Sequence, residues 1–140
     1  MSARFFLDTN IFVYSMDSTA PRKAKRAAQL IRDSLDTGNG IVSYQVVQEF
    51  FNVAFRAFAS PMSRAVAEEY LNTVFRPLLA IHSSPLLFME AFQVYSQHRL
   101  GWYDSLIVAA AEQAGCSVLY TEDMQHGRRI GNLKIEDPFR

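Results

Sequence analysis

Four acidic residues lie next to or inside apolar runs, and this placement restricts the fold more than any other feature of the chain. Each acid adjoins residues expected in a core: Asp8 follows 5–7, Glu49 lies between 46–47 and 50–51, Asp104 precedes 106–111, and Asp123 follows 118–120. Burying one isolated ionised carboxylate is strongly unfavourable. The four positions are best explained if the fold brings the acids together in one site.

Such a site needs a counter-charge. If four ionised carboxylates met at separations of about 6 Å, each pair would repel by roughly 3 kcal/mol, and all pairs together by about 17 kcal/mol at an effective dielectric of about 20. This upper bound exceeds the stability of a typical domain, about 5 to 15 kcal/mol. The cluster therefore either keeps protons or binds a multivalent cation, and oxygen ligands favour Mg²⁺, Ca²⁺ or Mn²⁺.

The composition is typical of one globular domain. The 140 residues are 49% hydrophobic and 20% charged, and no repeat or long linker divides them, so we expect a single domain over 1–140. The 14 Lys and Arg balance 14 Asp and Glu, which excludes the overall basic excess of a general nucleic-acid binder. We expect no membrane span and no signal peptide. The single Cys116 lies in an apolar run and indicates a reducing, cytoplasmic location.

Short β-branched or aromatic runs alternate with longer amphipathic segments, which predicts an α/β fold around a mostly parallel sheet. Strands are predicted at 4–7, 41–43, 78–81, 117–120 and 133–136, and helices from 11 and at 21–36, 44–59, 63–75, 85–98 and 102–114. Asp8 and Asp123 then follow strands, and Asp104 begins a helix. These three side chains can therefore reach the crevice where open α/β sheets bind ligands.

Helical periodicity places the acids on defined faces. On the helix 44–59, Glu49 lies in a narrow polar arc, and the apolar arc is wider than one core contact normally uses. Two interpretations are open: contact with a second chain, or coverage by neighbouring helices of the same chain. On the helix 102–114, Asp104 shares its arc with Val108, so it should face inward.

The chemistry of such a site follows from its ligands. A hard dication held by carboxylates can activate water and neutralise charge on a phosphate, and no protein nucleophile is needed. We expect Asp8, Asp104 and Asp123 to bind metal directly, with Glu49 as either a ligand or the group that orients the water. The sequence leaves open whether one ion or two are bound.

At this point the sequence resembles a known family, the PIN domain nucleases, and in particular the VapC-type toxins of bacterial toxin-antitoxin pairs. The matching segments occur in the expected order: Leu7-Asp8-Thr9-Asn10, Glu49 after Ser43, Tyr103-Asp104-Ser105 before an alanine-rich helix, and Leu119-Tyr120-Thr121-Glu122-Asp123. The resemblance implies a PIN-like three-layer α/β/α sandwich with a mostly parallel central sheet of four to five strands. It also implies a pocket for Mg²⁺ or Mn²⁺ and endonucleolytic cleavage of RNA.

The resemblance assigns roles to particular residues. It places Asp8, Glu49, Asp104 and Asp123 in the metal pocket, with Asn10 and Thr121 as supporting polar groups. Glu122, beside Asp123, leaves open which of the two acids points inward. Arg128 and Arg129 are candidates for gripping RNA phosphates beside the metal, and an ordinary solvated surface is the alternative.

The resemblance further implies a small antitoxin partner that covers the pocket or the apolar groove near Phe51 and Phe55, and it makes a homodimer plausible. An RNA-processing PIN nuclease without an antitoxin is the nearest alternative. A phosphotransferase that forms an aspartyl-phosphate is disfavoured, because its Asp-x-Asp pair reads Asp8-Thr9-Asn10 here. A binding module without catalysis would predict loss of at least one acid, and all four are present.

Overall fold

The computed structural model describes residues 3–140, in which short strands alternate with helices. The strands are β1 (Phe5–Leu7), β2 (Gly40–Ser43), β3 (Leu79–Ile81), β4 (Val118–Tyr120), β5 (Arg129–Ile130) and β6 (Leu133–Glu136). The helices are α1 (Thr9–Ser15), α2 (Pro21–Thr37), α3 (Tyr44–Arg56), α4 (Arg64–Tyr70), α5 (Arg76–Leu78), α6 (Pro85–His98) and α7 (Trp102–Gln113), and a π-helical turn over Leu71–Phe75 joins α4 to α5.

The strands form one sheet in the order β3-β2-β1-β4-β6-β5, and all pairs are parallel except β5 with β6. Parallel neighbours require crossover connections. Helices supply them from β1 to β2 and from β2 to β3, whereas the segment 121–132 that links β4 to the parallel β6 contains β5 and no helix. The predicted α/β fold with a mostly parallel sheet is confirmed. The five expected strands are present, and β5 adds a sixth as an antiparallel edge. Two residues are too few to show a β pattern in the sequence.

The core explains why the central strands are continuous apolar runs. Phe6 in β1 and Leu119 in β4 are fully buried, as expected for a parallel sheet covered on both faces. On one side the rings of Phe12, Phe50 and Phe75 pack together, with Phe12 and Phe75 centroids 4.9 Å apart and Phe50 and Phe75 centroids 5.3 Å apart. Burial of each such side chain contributes about 1.5 to 3 kcal/mol, so this cluster fixes α3 against α1.

The structure resolves the question raised by the wide apolar arc of α3. Phe50 and Ala54 are fully buried within the chain, and Phe55 stays 46% exposed. Coverage by the same chain therefore accounts for most of the arc. The larger uncovered apolar surface lies on α6, where Leu86 is 61% and Met89 is 64% exposed, a feature not anticipated from the sequence.

The sheet register places two predicted site residues side by side. Leu7 of β1 is paired with Tyr120 of β4, and the Asp8 amide donates to the Tyr120 carbonyl at 3.1 Å. Asp8 and Thr121 therefore leave neighbouring parallel strands at the same edge of the sheet.

Among residues 3–140, no helix combines the length and apolarity that crossing a bilayer requires.

Candidate active site

All four predicted acids line one pocket of about 420 Å³, to which α1, α3, α7 and the segment after β4 contribute. The acids are Asp8, Glu49, Asp104 and Asp123, and the lining also includes Thr9, Asn10, Tyr14, Gln45, Tyr103 and Glu122. Segments that lie more than a hundred residues apart in the chain thus meet here. The pocket has the carboxylate-rich character that the sequence predicts for a cation site.

Asp8 is the buried acid of the pocket, with only 4% of its surface exposed. It is the N-cap of α1, and its Oδ1 accepts a hydrogen bond from the Thr9 amide at 2.7 Å. Its Oδ2 accepts from the Thr121 hydroxyl at 2.7 Å. The pKa of Asp8 is raised to about 7, mainly by burial and to a smaller extent by the charges of Asp123 and Glu49, against the lowering effect of these two hydrogen bonds.

Thr121 and Asn10 connect the acids from the two strands. The fully buried Thr121 hydroxyl donates to Asp8 and accepts from the Asn10 Nδ2 at 3.3 Å and from the Asp123 amide at 3.1 Å. The same Asn10 Nδ2 donates to Asp123 Oδ2 at 3.1 Å. The two residues expected as supporting polar groups thus form a continuous network between Asp8 and Asp123.

The substitution Thr121→Val should destabilise the protein by about 1 to 3 kcal/mol at pH 8, because it removes the donor to a buried carboxylate oxygen. Thr121→Ser keeps the hydroxyl and is the matched control. Urea unfolding of both variants measures the difference. If the valine and serine variants lost equal stability, the hydroxyl would have no part in holding Asp8.

Glu49 and Asp104 approach the pocket from two helices. Glu49 Oε1 accepts from the Thr9 hydroxyl at 2.7 Å, and its Oε2 accepts from Gln45 Nε2 at 3.4 Å. Asp104 lies in the first turn of α7, half-buried as its inward arc predicted. Burial raises the pKa of Asp104 above its ordinary value, and the charges of Asp123 and Glu49 add to this effect.

The structure separates Glu122 from Asp123. Glu122 accepts hydrogen bonds from the Lys23 ammonium at 2.6 Å and from the Tyr14 hydroxyl at 2.6 Å. Although burial alone would raise the pKa of Glu122, these two donors lower it below its ordinary value. Lys23 therefore neutralises Glu122, and the carboxylate of Asp123 is left facing the other acids.

The fit of the site to a metal ion rests on its donors. Within residues 3–140, no group of three or more His, Cys, Asp or Glu side chains is arranged to hold an ion as the side chains stand. The carboxylates accept from neutral donors instead, including Thr9, Thr121 and Asn10. The donor set is nevertheless rich in anionic oxygen, and the buried Asn10 Oδ1 has no hydrogen-bond partner among the described residues. This chemistry fits Mg²⁺ or Mn²⁺.

Neither Arg128 nor Arg129 lines this pocket. Arg129 is in β5, the third strand from β1, which places it roughly 14 Å to the side at about 4.8 Å per strand. Arg128 donates from Nη2 to the His98 carbonyl at 2.6 Å. A contact of these arginines with a nucleic acid stays a prediction.

Three residues of the site, Thr9, Tyr14 and Lys23, have roles that the sequence did not indicate. Thr9 lies within the Asp8-Thr9-Asn10 segment, whose middle residue was given no role, although it orients Glu49. Lys23 of α2 pairs with Glu122 and lies 4.5 Å from the Tyr14 ring centroid. No local pattern could have revealed this pairing, because Lys23 and Glu122 are 99 residues apart.

Comparison with solved structures finds the same fold in other proteins. One is a toxin-antitoxin complex from Klebsiella pneumoniae, 17% identical with a TM-score of 0.66 over 98% of both chains. Another is DNA-bound VapBC from Salmonella typhimurium, 20% identical with a TM-score of 0.68 over 98% of this chain and 99% of that chain. A third is a Sarcin-Ricin loop cleaving VapC toxin from Mycobacterium tuberculosis, 18% identical with a TM-score of 0.58 over 85% and 89% of the two chains.

Two further comparisons concern the sequence itself. No curated protein matches the chain. The family model of the PIN domain matches residues 5–130, most of the chain, and this stretch includes all four acids. The chain therefore belongs to the PIN domain family.

Proposed function

We propose that this protein is a divalent-metal-dependent endoribonuclease and the toxin of a type II toxin-antitoxin pair. The observation that carries the proposal is the meeting of Asp8, Glu49, Asp104 and Asp123 in one pocket. Membership of the PIN family supports a nuclease. Two structures that share the fold add support: the Sarcin-Ricin loop cleaving VapC toxin for RNA as substrate, and the toxin-antitoxin complex from Klebsiella pneumoniae for an antitoxin as partner.

In this proposal Asp8, Asp104 and Asp123 hold Mg²⁺ or Mn²⁺, and Glu49 is either a further ligand or the group that orients water. When bound, the ion supplies activation of water and neutralisation of charge on the phosphate. The pKa of about 7 means that Asp8 carries a proton in a large fraction of molecules at neutral pH. To hold a cation through its carboxylate oxygens, Asp8 would have to be ionised, so binding would be favoured at a pH above this pKa.

The neighbouring side chains position the acids. Thr121 and the Thr9 amide hold the two oxygens of Asp8, and Asn10 holds Asp123. The Thr9 hydroxyl binds Glu49 and so keeps its carboxylate at the pocket wall. This arrangement restrains the acids before an ion or substrate arrives, which lowers the reorganisation that the reaction requires.

Incubation of the purified protein with structured RNAs should give cleavage in Mn²⁺ or Mg²⁺ and none in EDTA. Mapping of the cut ends identifies the substrate and the bond broken. Undiminished cutting in EDTA would contradict the role of the metal. Cleavage of DNA with no cleavage of RNA would contradict the substrate class.

The toxin role has its own test, because an RNA-processing nuclease without an antitoxin would share the same chemistry. Expression of the chain alone should arrest growth of a bacterial host, and the Asp104→Asn variant should not. Normal growth at equal expression would favour the processing enzyme.

An antitoxin segment could bind an apolar surface on α3. There Phe51 and Phe55 stack with centroids 5.7 Å apart, and Phe55 is 46% exposed.

A further inference from the structure

A second pocket of about 290 Å³ adjoins the acid pocket, and the mechanism proposed above makes no use of it. We call it the side pocket. Its walls include Ser43, Tyr44, Gln48, His82, Phe88 and Tyr103, and its floor includes the buried Leu87 and Leu106. Gln45 and Tyr103 line both pockets, so the two share one wall.

The shared wall is held in place by a bridge between two helices. Gln45 Nε2 donates to the Tyr103 carbonyl at 3.2 Å and to Glu49 Oε2 at 3.4 Å. Tyr103 directly precedes Asp104, and its side chain is 66% exposed. A group bound in the side pocket would therefore lie next to whatever is bound at the acids.

The lining of the side pocket suits a flat, neutral, polar-edged ligand. Tyr44, His82, Phe88 and Tyr103 present rings, and those of Tyr44 and His82 lie 6.3 Å apart at an angle of 40°. Neutral hydrogen-bonding groups are also present, including the Gln48 amide. As far as residues 3–140 are concerned, no Asp, Glu, Lys or Arg lines it. A phosphate would find no counter-charge there, whereas a nucleobase would find both stacking faces and hydrogen-bond partners.

Ser43 gives an independent indication of a ligand. It is the N-cap of α3, a position where a serine hydroxyl normally accepts from a backbone amide of the first turn, but its side chain makes no capping bond. Ser43 is only 3% exposed, and within the described part of the chain its hydroxyl has no hydrogen-bond partner. Ser43 lines the side pocket, and although its Oγ is covered as it stands, a change of side-chain rotamer would offer the unpaired hydroxyl to a bound group. An unsatisfied buried hydroxyl is rare enough to require an explanation.

From these observations we infer that the side pocket binds the base of a nucleotide that flanks the scissile phosphate, with Ser43 and Gln48 contacting the base edge. The inference rests on the proposed RNA-cleaving function and gives it a source of sequence preference. Base recognition in RNA targets unstacked bases that lie on aromatic side chains and are read at their edges. Tyr44 and Tyr103 supply the exposed rings. The scissile phosphate would then lie on the other side of Gln45, at the acids.

The first test maps cut sites in an RNA hairpin with a randomised loop. The wild-type protein should show a base preference at one position beside the cut. Ser43→Ala should weaken that preference without lowering stability, because the hydroxyl has no partner to lose. Tyr44→Ala should reduce cleavage of the preferred sequence about tenfold or more, the effect of losing one stacking ring, and Tyr44→Phe should retain it. Tyr95→Ala is the control, since Tyr95 is similarly exposed at 53% and lines neither pocket.

The second test needs no catalysis. NMR titration of the wild-type protein with each of the four nucleoside 5′-monophosphates, and with ribose 5-phosphate as the ligand without a base, measures whether a base is bound. At least one nucleotide should shift the Ser43 amide and the Tyr44 and His82 ring signals, and ribose 5-phosphate should not. Tyr44→Ala should weaken nucleotide binding. Equal binding of nucleotides and ribose 5-phosphate would overturn the inference.

The two tests separate this inference from the function on which it rests. A protein that cuts no RNA but binds nucleotides through Tyr44 would remove the nuclease proposal and support the pocket. A protein that cuts RNA with the same base preference after Ser43→Ala and Tyr44→Ala would keep the nuclease and remove the pocket. Loss of antitoxin binding in Tyr44→Ala, with unchanged nucleotide binding and unchanged cut sites, would assign the pocket to a protein partner and likewise overturn the inference.

Discussion

Asp104→Asn is expected to lower the rate of RNA cleavage by about 100- to 1000-fold or more, the range for losing a group that stabilises charge at a reacting centre. Asparagine keeps the shape of the side chain and removes its charge. Burial and the neighbouring charges of Asp123 and Glu49 already disfavour ionised Asp104, so its replacement relieves repulsion. The unfolding free energy should therefore stay level or rise, which separates a loss of chemistry from a loss of fold.

Initial rates in saturating Mn²⁺ measure the effect, with urea unfolding of the same preparations. Glu112→Gln is the matched control, because Glu112 is an exposed acid on the same helix and lies outside the acid pocket. This control should cleave at the wild-type rate. An Asp104→Asn rate within threefold of wild type would remove Asp104 from the chemistry.

Asp8→Asn is expected to stabilise the metal-free protein at pH 8 while abolishing cleavage. The pKa of Asp8 rises from its ordinary 3.8 to about 7 on folding, so the folded state binds this proton more tightly than the unfolded state. The favourable contribution is complete below about pH 4 and is lost as pH rises through about 7. Ionised Asp8 thus opposes folding at pH 8 by at most about 4 kcal/mol, from about 1.4 kcal/mol per pH unit.

The observed gain should be smaller, about 1 to 3 kcal/mol, because a new amide would face the Thr121 hydroxyl, which already accepts two hydrogen bonds. Urea unfolding in EDTA at pH 4, 6 and 8 measures the difference between variant and wild type. That difference should grow across this range. Saturating Mn²⁺ should then stabilise the wild type more than Asp8→Asn. A variant less stable than wild type at pH 8 in EDTA would contradict the assigned burial of charge.

The convergence of the acids could be foreseen because the sequence pattern implies it. Two apolar runs that each end at a polar residue predict parallel neighbours, and parallel neighbours end at one edge of a sheet. Asp8 and Thr121 meet for this reason. The inward orientation of Asp104 followed from the 3.6-residue period of α7. These inferences need only local spacing and one assumption about pairing.

Other features depend on contacts that no local pattern encodes. Tyr14 of α1 and Lys23 of α2 bind Glu122, and so determine that Asp123 and not Glu122 faces the other acids. The free hydroxyl of Ser43 contradicts the simplest expectation for a serine before a helix, which is that it caps the helix. The exposure of the apolar face of α6 could not be predicted from the sequence. The helix is apolar on nearly every side, a pattern that normally indicates burial.

The most direct test of the central claim is a crystal structure of the protein soaked with Mn²⁺, with the ion located by its anomalous scattering. If these acids hold the ion, a peak should lie about 2 to 2.5 Å from carboxylate oxygens of at least two of Asp8, Asp104 and Asp123. The peak should be absent in the Asp8→Asn variant. No bound Mn²⁺ among these acids in a preparation that cleaves RNA, or an ion bound elsewhere at full occupancy, would contradict the central claim.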